Sequence, residues 1–112
     1  MNNLIQKLKE YALLVNKNKA IKEAKMLNEY ALKLSNTALS GETLKEFYEF
    51  TWHYKGMRDM IVPNYSEKEW TAITKELEKS SKQAMIEQGF LKKGIITTLL
   101  DFFRSYKNEE MQ

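Results

Sequence analysis

The sequence contains no cysteine, only one proline and only four glycines among its 112 residues. Without cysteine, a disulfide scaffold, a thiolate nucleophile, the usual kind of zinc finger and an iron–sulfur site are all excluded. No apolar run approaches the roughly 20 residues that span a bilayer, and charged residues interrupt the first apolar positions. We therefore expect a cytoplasmic protein with no membrane span and no secretory signal.

The composition is typical of a folded domain. Hydrophobic residues make up 43% of the chain and charged residues 29%, which excludes collagen-like and disordered classes. A chain of this length can bury roughly two-thirds of the surface that its unfolded form exposes. We expect one helical domain over residues 1–112, with a frayed C-terminal tail at about 107–112.

Apolar residues recur at steps of three and four along the first half of the chain, which predicts helices. The first helix runs from Asn3 to about Asn16, and the second runs from about Ala20 to about Leu39. The third covers roughly 42–61, because the residue before a proline avoids the helical region and Pro63 follows. Its predicted core face comprises Leu44, Phe47, Phe50, Tyr54, Met57 and Ile61.

The fourth helix has the clearest local signal. The segment from Ser66 to Glu69 is a capping box, in which each of these two side chains accepts a hydrogen bond from the other residue's backbone amide. The helix should end at Gly89, a typical left-handed position after a C-terminus. A fifth, strongly apolar helix is predicted to begin near Phe90 or Gly94, with Ile95, Ile96, Leu99, Leu100, Phe102, Phe103 and Tyr106 on its buried side. The predicted fold is all-α, a compact bundle of about five helices joined by short loops.

Two six-residue segments resemble each other. Residues 8–13 and 27–32 share the pattern L-x-E-Y-A-L at an offset of nineteen positions. A repeat array would need further copies, and the third helix does not continue the pattern. We interpret the similarity as two helices that meet the same packing requirement.

Positive charge is concentrated in the N-terminal part of the chain. Residues 1–40 contain seven lysines and three acidic residues, a net charge of +4, whereas residues 41–112 have a net charge of −1. A basic surface suits an acidic partner, nucleic acid or an anionic membrane surface. With only two arginines in the chain, we expect contacts with phosphates or carboxylates rather than direct reading of bases. The lysines that form this predicted stripe on and beside the second helix are Lys17, Lys19, Lys22, Lys25 and Lys33.

The third helix has more aromatic residues than one face requires. Tyr48 and Trp52 lie on a flank away from the main apolar stripe, beside Lys45, Lys55 and Asp59. Either this helix is central and packs on both sides, or the two aromatics form an exposed pair with a polar rim. The second arrangement is typical of interface hot spots, and these five residues are our first candidates for partner contact.

The residues needed for catalysis are scarce. His53 is the only histidine, and Glu46 and Glu49 precede it on the same helix. This group could ligate a metal or act as a general base, but a di-iron bundle would need the same motif on other helices. No nucleophile elbow and no phosphate-binding loop of the Walker type are present. We expect no catalytic residue, no cofactor and no metal.

In size, helicity and basic charge, the chain resembles bacteriocin immunity proteins and inhibitors of host defence complexes, which are small helical proteins of bacteria and phage. This resemblance is one of composition and transfers no residue. We expect a non-catalytic protein that docks on another protein or assembly as an inhibitor, immunity factor, adaptor or small subunit. The alternative is a nonspecific nucleic-acid-binding or nucleoprotein subunit that uses the lysine stripe.

Overall fold

The computed structural model describes residues 1–90, and within this range the protein is all-α, as predicted. Four α-helices and one short 3-10 turn follow one another along the chain, and no strand occurs among these residues. The predicted fifth helix, the frayed tail and the last helix's apolar residues, Leu99 and Phe102 among them, lie outside the described residues. The elements are α1 (Asn2–Lys17), α2 (Ile21–Ser35), α3 (Ser40–Trp52), the 3-10 turn (Met57–Asp59) and α4 (Glu67–Glu87).

Helices α1 and α2 fold back on each other as a hairpin joined by three residues. Lys19 has a left-handed backbone with φ 67°, and its N–H donates to the Asn16 carbonyl at 3.0 Å. The N–H of Ala20 donates to the Val15 carbonyl at 2.9 Å, which completes a Schellman motif. Ala20 and Val15, the two positions where an apolar pair typically accompanies this motif, are both fully buried.

Helix α4 begins and ends as the sequence predicts. The Ser66 Oγ accepts a hydrogen bond from the Glu69 N–H at 3.1 Å, and the Ser66 N–H donates to Glu69 Oε1 at 3.0 Å. The hydrogen bonds from Ser66 lower the pKa of the Glu69 carboxyl, because they stabilise its charged form. At the other end, Gly89 has φ 73°, and the Phe90 N–H donates to the Met85 carbonyl at 3.1 Å.

The predicted extent of the third helix is wrong. Helix α3 ends at Trp52, nine residues before the predicted limit, and His53 is already extended. Lys55 has φ 60°, and its N–H donates to Asp59 Oδ2 at 2.7 Å. A Cβ at Gly56 would lie 2.1 Å from the Phe50 carbonyl oxygen, so this turn requires glycine.

A contact from a distant part of the chain holds the turn that follows α3. The Trp70 indole Nε1 donates to the Met57 carbonyl at 2.7 Å, and both residues are buried. The same carbonyl accepts from the Met60 N–H at 3.2 Å, so the indole adds a second hydrogen bond that ties the 3-10 turn to α4. Two residues predicted for the core face of α3 are consequently exposed, Tyr54 by 68% and Ile61 by 97%.

The second helix is also shorter than predicted. It ends at Ser35, and residues 37–39 form a turn before α3. The Asn36 side chain accepts a hydrogen bond from the Ala38 N–H at 3.0 Å, a local bond that competes with helical geometry. Ala38, which lies within the predicted second helix, is in this turn and is exposed.

All four helices contribute buried residues to one hydrophobic core. Helix α1 contacts α2 and α4, and α3 packs against both α2 and α4. An ion pair joins Lys7 on α1 to Glu76 on α4, and this bond lowers the pKa of the Glu76 carboxyl. Among the helices of residues 1–90, none combines the length and apolar composition that crossing a bilayer requires. The largest fully buried side chains include Trp70, Phe47, Leu4, Leu8, Leu27, Leu44, Met57 and Leu77.

Candidate docking surface

The outer side of the α1–α2 hairpin contains a shallow groove of about 390 Å³, here called the hairpin groove. Its apolar lining comes from both helices, and the polar residues Asn16, Asn28 and Glu29 complete it. Ala12 and Ala24, which are 1% and 3% exposed, form its floor. The remaining lining residues are Ala12, Leu13, Ile21, Ala24, Lys25 and Leu32.

Three large aliphatic side chains of the hairpin groove point to solvent. Leu13 is 73% exposed, Ile21 is 67% exposed and Leu32 is 74% exposed. Single exposed leucines are common on soluble proteins, but three around one groove form a patch of the kind that marks an interaction site. The groove thus combines an apolar rim with an alanine floor that allows close approach.

The two similar six-residue segments have the same burial pattern. Leu8 and Leu27 are fully buried, and Ala12 and Ala31 are each 1% exposed. Each segment then ends in an exposed leucine of the hairpin groove, Leu13 in the first and Leu32 in the second. The common packing requirement that we inferred from the sequence explains the buried positions of both segments. It does not explain the exposed leucines, because they contribute little to the core.

The predicted lysine stripe is exposed and borders the hairpin groove. At about 100° per residue, Lys22, Lys25 and Lys33 share an arc of about 80° on α2. Ile21 and Leu32 lie directly beside that arc on the helical wheel, and Leu32, the nearer of the two, is about 20° from Lys25. Lys17, four residues after Leu13, lies on the same side of α1, and Lys19 lies in the connection between the helices. All five predicted lysines are exposed.

The predicted exposed aromatic pair requires correction. Tyr48 is only 6% exposed and belongs to the core, and Trp52 is half-buried against that core with its ring 6.2 Å from the Tyr48 ring. The physical reason is that α3 packs on two neighbours, so more than one of its flanks is covered. A partner anchor needs exposed area, and Tyr48 does not provide it.

The predicted polar rim of that pair has local contacts. The Lys45 ammonium lies 4.6 Å from the centre of the Phe90 ring, a cation–π contact. Lys55 and Asp59 are joined by the backbone-to-carboxylate hydrogen bond that closes the turn after α3. All three are exposed, and the Lys55 ammonium lies 5.6 Å from the centre of the Tyr54 ring. The aromatic rings that the two lysines contact are therefore those of Phe90 and Tyr54 rather than those of the predicted pair.

The histidine group has no geometry suited to a metal. Helix α3 ends before His53, whose Nδ1 lies 2.8 Å from the Tyr54 carbonyl oxygen. Glu46 and Glu49 are exposed on the helix. Within residues 1–90, no group of three or more acidic or histidine side chains is arranged to hold a metal ion.

Sequence reasoning missed the hairpin groove although a signal was present. Leu13 lies off the stripe that contains Leu8 and Val15, and Ile21 and Leu32 lie off the stripe of α2 that faces the core.

Comparison with protein-family models, curated proteins and solved structures finds no match for this chain. No relative therefore supplies a residue role.

Proposed function

We propose that this protein is a non-catalytic cytoplasmic docking protein, which acts as an inhibitor, immunity factor, adaptor or small subunit by binding another protein through the hairpin groove. The observation that carries the proposal is the exposure of Leu13 and Leu32 at equivalent positions of two similar segments. Exposed leucines lower solubility, and the core does not use these two. A binding role explains why both segments end in one.

The surroundings of the groove support a protein partner. Protein interfaces combine an apolar centre with a polar rim, and the exposed aliphatics here have lysines beside them. The buried residues beneath, Ala12 and Ala24, belong to the hairpin core, so the groove is held by packed helices rather than by a loop. Such a surface needs little rearrangement on binding.

A second candidate function rests on the lysines alone. Lys22, Lys25 and Lys33 share one exposed arc of α2, which suits contact with the phosphates of a nucleic acid. Such binding would gain nothing from Leu13 or Leu32. The two candidates therefore differ in which side chains they require.

Affinity capture from the cells that naturally make the protein tests the proposal. We expect the wild type to retain a protein partner that a Leu13→Ser, Leu32→Ser double variant loses. The matched control is Ile61→Ser, which removes a 97% exposed aliphatic side chain from another part of the surface. Capture by the double variant equal to that of the wild type would contradict docking through this groove.

Salt and nuclease treatment separate the two candidates. Phosphate contacts lose about 10³–10⁵ in affinity between 50 and 200 mM salt for six to ten contacts, whereas an apolar-centred protein interface loses much less. We expect capture to survive nuclease digestion and moderate salt. Loss under both treatments, with no effect of the leucine substitutions, would favour the nucleic-acid function instead.

A further inference from the structure

We infer that the hairpin groove receives an acidic amphipathic α-helix of the partner protein, with apolar side chains against Leu13, Ile21 and Leu32 and carboxylates against the flanking lysines. This inference rests on the proposed function and adds to it the chemistry of the bound segment. The groove geometry, the charge around it and the repulsion between two copies each support this occupant.

The shape of the groove favours a helix. Ile21 and Leu32 are eleven residues apart on one side of α2, which places them about 16 Å apart along the helix axis. An amphipathic helix presents anchors at i, i+4, i+7 and i+11 over the same length, and helix-in-groove binding uses such a row. The alanine floor formed by Ala12 and Ala24 lets the ridge of an incoming helix approach closely.

The charge around the groove favours a negatively charged occupant. On α1, Lys9 and Lys17 lie four residues before and after Leu13 on the same side of the helix, and Glu10, three residues before Leu13, is the acidic residue of that side. On α2, Lys25 lines the groove beside Ile21. Glu29 is the one acidic residue that lines it. Carboxylates on the occupant would meet cations on both sides, which raises the association rate and selects against basic partners.

The same features disfavour two other occupants. A second copy of this chain would bring its own lysine-bordered groove against the first, and these like charges repel. A flat lipid surface could contact the protruding leucines but would leave the alanine floor between the helices unfilled. A helix that inserts a ridge fills that space.

A display library tests the chemistry directly. The full chain is immobilised and offered 20-residue peptides with leucine at helical spacing and polar positions randomised among Glu, Lys, Gln and Ser. We expect enrichment of net-negative peptides. Enrichment of neutral or basic peptides, or no enrichment over an uncoated surface, would overturn the inference.

Variants locate the binding of the most enriched peptide, measured by fluorescence anisotropy with a labelled synthetic copy. We expect at least tenfold weaker binding by Leu13→Ser, Leu32→Ser and at least tenfold weaker binding by Lys17→Glu, Lys25→Glu. The controls Ile61→Ser and Lys68→Glu, Lys75→Glu make matched changes elsewhere and should bind within twofold of the wild type. Equal losses in the controls would show that the peptide binds elsewhere or nonspecifically.

Two further measurements address the other occupants. The fraction of protein that sediments with vesicles of mixed phosphatidylglycerol and phosphatidylcholine should be the same for the wild type and for Leu13→Ser, Leu32→Ser. Analytical ultracentrifugation should not show a dimer that the wild type forms and this variant loses. Either dependence would overturn the inference in favour of a membrane surface or a second copy. If the double leucine variant loses its natural partner but no acidic peptide binds, the proposed function stands and only this inference fails. If partner capture does not depend on the leucines, both fail.

Discussion

The α1–α2 hairpin and the α3–α4 half of the protein place their large apolar residues differently. The hairpin has regular helices and a short connection, yet it leaves Leu13, Ile21 and Leu32 in solvent. The α3–α4 half has an irregular connection over residues 53–66, yet it turns most of its aromatic surface inward, including Tyr48 and Trp70.

This difference shows that residue type alone does not identify a docking surface. Tyrosine and tryptophan are enriched at interfaces, but a helix with two neighbours uses them for its own packing. The informative residues are those that the fold leaves exposed without need. In this protein the three that gather around one groove are aliphatic and belong to the more regular half, whereas Ile61 of the other half is exposed away from that groove.

The largest expected effect concerns Tyr48, whose truncation should destabilise the fold. Tyr48→Ala should lower the free energy of unfolding by about 3–5 kcal/mol, because it removes a core aromatic and leaves a cavity. Denaturant unfolding followed by circular dichroism measures this. Tyr54→Ala, at a 68% exposed tyrosine six residues later, should change stability by no more than about 0.5 kcal/mol.

The same measurement on Leu13→Ser, Leu32→Ser completes this comparison. Both leucines are more than 70% exposed, so this variant should unfold close to the wild type. A large loss of stability there, or a small one in Tyr48→Ala, would reverse the assignment of core and surface between the two halves.

The second prediction concerns the irregular connection. Met57→Ala should cost about 2–5 kcal/mol, because the Met57 side chain is fully buried although it lies in a 3-10 turn. Ile61→Ala, in the same connection but 97% exposed, should be nearly neutral. Thermal unfolding of the two variants checks this, and similar melting temperatures would mean that the connection does not contribute to the core as the structure indicates.

The contrast between Met57 and Ile61 also shows where sequence reasoning reaches its limit. Helical periodicity through residues 42–61 placed both on one face, whereas the chain leaves the helix after Trp52. The contact that holds the turn comes from Trp70, which periodicity within one segment does not reveal. Gly56 was the local signal, since a glycine four residues past the helix end is typical of a turn.

Both ends of α4, in contrast, were predicted from local sequence. The capping box needs only Ser66 and Glu69, and the left-handed position of Gly89 needs only the glycine. The candidate site lies between these extremes. The lysines were predicted from charge alone. The exposure of Leu13 and Leu32, in contrast, depends on how the two helices pack. A helical wheel of one helix therefore cannot show that these leucines are exposed while Tyr48 is buried and Trp52 half-buried.

The third prediction tests the cap of α4. Ser66→Ala should cost about 1 kcal/mol, because the Glu69 N–H loses its acceptor at the helix N-terminus. Ser66→Asp, which supplies another acceptor, should retain most of the stability. Urea midpoints of the three proteins measure the difference, and an unchanged midpoint in Ser66→Ala would place the start of α4 elsewhere.

The fourth prediction concerns the hairpin connection and has the opposite sign. Lys19 has a left-handed backbone, which costs a residue with a Cβ about 1–2 kcal/mol, while glycine adds about 0.5–1 kcal/mol of chain entropy. Lys19→Gly should therefore raise the free energy of unfolding by about 0.5 kcal/mol. Lys17→Gly, inside the last turn of α1, should instead lower it by about 1 kcal/mol. A loss of stability in Lys19→Gly would contradict the Schellman motif that closes the hairpin.

The smallest expected effect is the pH dependence of the α4 cap, since Glu69 is exposed. Hydrogen bonds from Ser66 lower the pKa of Glu69 in the folded state. The charged carboxylate therefore stabilises the fold at pH values above the unfolded-state pKa. This contribution is lost as the pH falls through the folded-state pKa. Glu69→Gln should therefore be less stable than the wild type at neutral pH, with the difference shrinking on acidification to about pH 3, below the ordinary pKa of glutamate. Urea midpoints across that range measure the difference. A gap that stays constant with pH would show that the charge of Glu69 contributes nothing and that the cap works through neutral hydrogen bonds alone.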